Sequence, residues 1–247
     1  MSIQSKSIPK ADNWRMFDRI AARYDLLNRL LSLRCDVAWR KRLARHLPER
    51  DGLAILDVAT GTADVLLTLC RNGQVSRAVG VDMAVDMLNI GRRKIAERHL
   101  SDRIALLPGN ALHLPVQDNR FDAVTIAFGI RNIPKPEYAL GEMRRILKPG
   151  GRALILEFSL PGNQWIKKMY LFYFRHVLPR IGGMLSGDKA AYSYLNKTVE
   201  DFPYGDKFTA MLVKAGFVQV RYYPLTFGIA TIYCADKTGY NPITRTD

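Results

Sequence analysis

From Leu53 onward the chain alternates between two kinds of segment. Short apolar runs at 53 to 59, 77 to 82, 103 to 107, 121 to 127 and 152 to 158 are separated by helical stretches at about 63 to 71, 85 to 98 and 136 to 147. Strands that alternate with helices join through right-handed crossovers, so this pattern predicts an α/β domain on a mostly parallel sheet, with helices on both faces. KPGGR, Lys148 to Arg152, reads as a turn that ends a helix and starts a strand. A helix near 205 to 215 and two last strands, FVQVRYYP and FGIATIYCADK, follow; Pro224 between them predicts a hairpin that ends the sheet antiparallel. Ahead of the sheet, Leu26, Leu27, Leu30, Leu31 and Leu33 fall at helical spacing, which predicts two helices over 12 to 47. The chain therefore divides into an N-terminal helical extension over 1–48, an α/β domain over 49–238 with a cap insertion at about 160–203, and a tail over 239–247.

The formal charge of +14 favours an anionic partner: nucleic acid, an anionic bilayer or an acidic substrate. MSIQSKSIPKADNW has no apolar signal region, and no apolar stretch of about 18 residues occurs, so the expected location is cytoplasmic. Cys35, Cys70 and Cys234 are odd in number, far apart and without a histidine at ligand spacing, which argues against disulfides and bound metal.

In such a sheet a ligand sits beyond the carboxyl ends of the strands, which places the turn after LAILDVA, Leu53 to Ala59, at the site. The slots of a dinucleotide fingerprint hold Ala59, Gly61 and Asp64, and a carboxylate in the third slot suits no phosphate. A nucleoside cofactor carrying positive charge fits a small-residue turn flanked by Asp57 and Asp64, and S-adenosylmethionine is one. Asp82, at the end of the second strand, stands where an acid accepts from both ribose hydroxyls. Asn110 in GNALHLP can pair with the adenine edge, and Ala111 leaves room for the ring. Helix capping is the alternative use of Asp57 and Asp82.

These residues resemble those of a class I S-adenosylmethionine-dependent methyltransferase. Four further stretches resemble the ubiquinone/menaquinone biosynthesis C-methyltransferase family: YDLLNRLLSLRCDVAW (Tyr24 to Trp39), FGIRNI (Phe128 to Ile133), RILKPGGRALILEFS (Arg145 to Ser159) and AAYSYLNKTVEDFP (Ala190 to Pro203). The resemblance covers about residues 12 to 235. Two positions depart from it: Asp36 stands where a His or Gln is usual, and Ala127 where a serine is common. The resemblance implies a Rossmann-like seven-stranded sheet with an antiparallel last-placed strand. It carries cofactor contacts onto Thr62, Asp82, Asn110 and Ala111.

The activity so implied is methyl transfer to a ring carbon of a prenylated quinol, 2-demethylmenaquinol first, with the benzoquinol step of ubiquinone synthesis as a second substrate. No metal is required. Arg131 and Asn132, after the fourth strand, are expected beside the transferred methyl, with Arg131 stabilising a developing quinolate and Tyr24 completing the network. A surface ion pair is the alternative for Arg131. The competing function is an RNA-directed methyltransferase or a nucleic-acid-binding scaffold. The sequence lacks an Asn-Pro-Pro-Tyr-like motif, a catalytic cysteine at a strand end and an appended RNA domain, so no nucleic-acid partner is expected. WIKKMYLFYFRHVLPRIGGML, Trp165 to Leu185, is too short and too charged to span a bilayer; it reads either as a cap helix or as a helix contacting an anionic membrane at its inner face. A homodimer is compatible with all of this.

Overall fold

The computed structural model describes residues 13–32, 34–177 and 198–239. Two helices, α1 (Asn13–Leu31) and α2 (Cys35–Ala44), lead into seven strands: β1 (Leu53–Val58), β2 (Val75–Asp82), β3 (Ile104–Pro108), β4 (Phe121–Ala127), β5 (Leu147–Phe158), β6 (Val218–Leu225) and β7 (Ala230–Asp236). Between them run α3 (Asp64–Leu69), α4 (Val85–Ala96), α5 (Pro136–Ile146), α6 (Gln164–Phe172) and α7 (Asp206–Lys214). The order β3-β2-β1-β4-β5-β7-β6 forms one sheet in which β7 alone runs antiparallel to its neighbours.

Side chains on successive strand positions go to opposite faces, which makes two apolar layers. On one face Ile55, Leu154 and Leu156 pack with Leu66 of α3, Leu88 of α4 and Trp39 and Leu43 of α2. On the other, Leu56, Val58 and Ile155 meet Leu140 and Met143 of α5 and Phe208 and Leu212 of α7. The helices of the extension join the same molecule: α2 belongs to the first layer, while Ala21 of α1 packs on Ala84 and Met87 beside α4.

Two details differ from the sequence reading, and a third lies largely beyond the described residues. KPGG lies inside β5, which begins at Leu147; Gly150 takes φ 75° and the register with β4 slips there. The last strand in sequence is not the edge: β7 inserts between β5 and β6, and Pro224 sits in the edge strand, where its missing N–H breaks no ladder. The cap begins as α6 and one π-helical turn, Tyr173–Val177; the cap residues 178 to 197, with Pro179, Tyr192 and Tyr194, lie outside the described residues. Among the described residues no helix is long and apolar enough to cross a membrane.

Candidate functional site

β1, β2, β3 and β4 all end at one cavity, with about 920 Å³ of empty space that is partly open to solvent. The turn after β1 folds back tightly. Ala59 and Ala63 adopt the left-handed region (φ 51° and 66°), as Gly61 does between them (φ 53°), and strain of this kind concentrates at ligand sites. Gly61 presents its N–H to Asp82 Oδ2 at 2.8 Å, and Ala84 N–H donates to Asp82 Oδ1 at 2.9 Å. Those bonds aim the carboxylate into the cavity, which it lines, and they oppose the burial that raises its pKa. Asn110 and Ala111 line the cavity as expected from sequence. Asn110 Oδ1 accepts from Leu112 N–H at 2.9 Å, so the donor side of its amide is what it can offer a base.

Asp57 and Thr62 are placed differently. The Asp57 carboxylate is buried under the turn, accepts from Thr125 Oγ1 at 2.5 Å and lines no part of the cavity. Burial pushes its pKa up to about 7, against the pull of the Thr125 and Thr60 hydroxyls. Thr62 faces the N-terminal helices: its hydroxyl donates to Asp25 Oδ1 at 2.7 Å and accepts from Lys94 Nζ at 3.0 Å. Lys94 also pairs with Asp25 (2.5 Å) and Asp64 (2.7 Å), and Arg40 links Asp64 (3.3 Å) to Asp36 (2.5 Å). This network ties α1 and α2 to the cofactor turn. It also accounts for Asp36, whose carboxylate takes Arg40 and Ser32 Oγ (2.9 Å) within its own segment. Ala127 packs against the core and does not line the cavity.

On the β4 side, Phe128 (φ 56°) and Gly129 turn the chain toward Asn132. A Cβ on Gly129 would stand 2.8 Å from the Ala59 Cβ, so the two turns touch only because this residue is glycine. Asn132 lines the cavity. Arg131 does not: its guanidinium is 2% exposed, with Nη1 2.5 Å from Glu157 Oε1 and 2.7 Å from the Phe128 carbonyl. Arg131 thus stands behind the cavity wall and not beside the transferred methyl, where the sequence reading expected it; the alternative, an ion pair, exists, but buried rather than at the surface. Tyr24 lies on α1; its side chain is outside the described residues.

The sequence reading missed the start of α1, where Asn13, Trp14 and Phe17 close the cavity and Asn13 Nδ2 donates to the Asn132 carbonyl at 2.6 Å. It also missed Glu157, although one acid at the end of the otherwise apolar run ALILEF was a signal.

The residues present fit S-adenosylmethionine. Asp82 supplies an acceptor at the end of β2, Asn110 a donor and Ala111 space beyond β3. Residues 7–237 match the model of the ubiE/COQ5 methyltransferase family. The chain is 48% identical over 222 residues to a demethylmenaquinone methyltransferase of Thermus thermophilus, covering 90% of this chain and 100% of that one. It is 46% identical over 223 residues to a ubiquinone/menaquinone biosynthesis C-methyltransferase, UbiE, of Geobacter sulfurreducens, covering 90% and 87%. A methyltransferase structure from Thermotoga maritima superposes with a TM-score of 0.64 at 17% identity, covering 91% of this chain and 99% of that one, and shows the shared fold.

Proposed function

Because the chain belongs to the ubiE/COQ5 methyltransferase family and is an S-adenosylmethionine-dependent C-methyltransferase, we propose that it methylates a ring carbon of a prenylated quinol, 2-demethylmenaquinol first. Bound S-adenosylmethionine supplies an electrophilic methyl group on a cationic sulfonium. The observation that carries the choice of acceptor is the far wall of the cavity. Trp14, Phe17, Phe128, Ile133 and Pro134 give an apolar slot for a fused ring, with Asn132 and Asn13 as the polar residues among them, the Asn13 amide donating to the Asn132 carbonyl. A ring hydroxyl that donates to the oxygen of the Asn132 side-chain amide gains electron density, which it passes to the neighbouring carbon. The slot holds that carbon in place, so orientation provides much of the rate. The ring carbon gains the methyl and its proton passes to water at the open side of the cavity. Arg131, paired with Glu157 behind the cavity wall, acts on the acceptor only through Asn132, and Tyr24 on α1 is the further candidate on the substrate side.

The same reading includes a peripheral contact with anionic membrane, where a prenylated acceptor resides. Trp165, Met169 and Phe172 are spaced i, i+4, i+7 on α6 and are 77%, 73% and 63% exposed, with Lys168 Nζ 5.5 Å from the Trp165 ring centroid. An apolar stripe beside lysines suits the headgroup boundary. The test is methyl transfer from labelled S-adenosylmethionine to demethylated naphthoquinol, demethylated benzoquinol or RNA, run with and without anionic liposomes. Labelled naphthoquinol is the expected product; label in RNA alone would sink the reading. Salt-reversible flotation with the liposomes is expected in the same samples.

A further inference from the structure

The turn that leaves β4 is tied to a single carboxylate on β5. Glu157 is 1% exposed and its oxygens take three donors: Arg131 Nη1 at 2.5 Å, Phe158 N–H at 2.8 Å and Arg131 N–H at 3.4 Å. Arg131 Nη1 passes the connection on to the Phe128 carbonyl at 2.7 Å, and the same carbonyl accepts from Asn132 Nδ2 at 3.3 Å. Phe128 is held at φ 56°, a conformation that a bulky residue adopts only when its surroundings over-determine it. The side chains of Arg131 and Phe158 also stack, with the guanidinium carbon 5.2 Å from the ring centroid.

This chain of bonds decides which way the Asn132 amide points. Its nitrogen must face the Phe128 carbonyl, because a carbonyl can only accept, so its oxygen is turned the other way. That oxygen, Oδ1, is buried and has no hydrogen-bond partner among the described residues, in a residue that lines the cavity and is 9% exposed. A buried acceptor left without a donor calls for one from a ligand.

We propose that Glu157, which lines no part of the cavity, is a positioning residue for methyl transfer: through Arg131 and the Phe128 carbonyl it fixes the Asn132 amide so that Oδ1 receives the ring hydroxyl of the acceptor. The proposal rests on the reading of the cavity as a quinol site. It differs from a purely structural buried ion pair in one respect, since Glu157 and Asn132 then act on the same step rather than independently.

The test is a double-mutant cycle on kcat with a demethylated short-chain naphthoquinol, using Glu157→Gln, Asn132→Ala and the pair, with S-adenosylmethionine affinity measured by calorimetry on each. Glu157→Gln should lower kcat by a factor on the order of 10² with cofactor affinity nearly unchanged, and should add almost nothing in the Asn132→Ala background. Glu157→Asp should recover part of the rate. Losses that multiply across the cycle would overturn the proposal, as would unchanged kcat in Glu157→Gln. Should Glu157→Gln not fold, Arg131→Met with Glu157→Leu replaces the buried pair by apolar side chains of similar volume, an exchange that commonly preserves stability. Such a folded double variant with wild-type kcat would make the pair structural and overturn the proposal, as would its failure to fold. Wild-type protein inactive on every quinol would instead overturn the substrate reading, and the proposal with it.

Discussion

On the β1–β2–β3 side of the cavity, which Asp82 lines, its carboxylate is held by two backbone N–H groups in its immediate neighbourhood, those of Gly61 and Ala84. On the β4–β5 side, the charges of Arg131 and Glu157 are turned away from the cavity and spent on each other, and only the amide of Asn132 reaches the wall. The β1–β2–β3 side thus offers a carboxylate, suited to a cationic ligand. In the proposed reading, the β4–β5 side meets an apolar ring with a neutral acceptor whose orientation comes from a buried pair. A charge placed directly against an apolar ring would have to be desolvated at each turnover; a buried pair is desolvated once, on folding.

The sharpest way to break this comparison is Arg131→Ala. It should leave Glu157 buried and unpaired, with a loss of about 3–5 kcal/mol of stability, and lower kcat by roughly 10²- to 10³-fold. Affinity for S-adenosylmethionine in the folded fraction should hardly change. Thermal melts and calorimetry would check both, and a large loss of cofactor affinity would erase the division between the two sides. Arg131→Lys should recover only part of the rate, since the planar fork is lost.

Asp82→Ala should do the reverse. Losing charge-assisted bonds to a ribose, together with the anchor of Gly61, should weaken S-adenosylmethionine binding on the order of 10²-fold. The kcat at saturating cofactor should stay within a few-fold of wild type. Normal affinity in this variant would remove Asp82 from the cofactor site.

A smaller effect separates Asp57 from Asp82. Its folded pKa is raised to about 7, so the folded state holds the proton more tightly than the unfolded chain does. The stability this provides is complete below the unfolded carboxylate pKa near 4 and is lost as pH rises through about 7. Asp57→Asn cannot ionise and should flatten that decline, so its melting temperature should change less than that of wild type between pH 5 and pH 8. Parallel curves would mean that Asp57 does not titrate there.

Much of this molecule was legible without its structure, for a definite reason. Alternating apolar runs and helices force right-handed crossovers, and these bring the ends of β1 to β4 to one edge; hence Asp82, Asn110, Ala111 and Asn132 were found from their places after strands. The uses of side chains were not legible where the partner is remote. Thr62 is engaged by Asp25 across 37 positions, Arg131 by Glu157 across 26, and the Asn132 carbonyl by Asn13 across 119. The position of a strand end follows from local periodicity and chain chirality, which a sequence carries in each short window. Which of two nearby carboxylates faces the ligand and which lies buried under the turn depends on packing from elements far apart in the chain, and only the folded molecule brings those together.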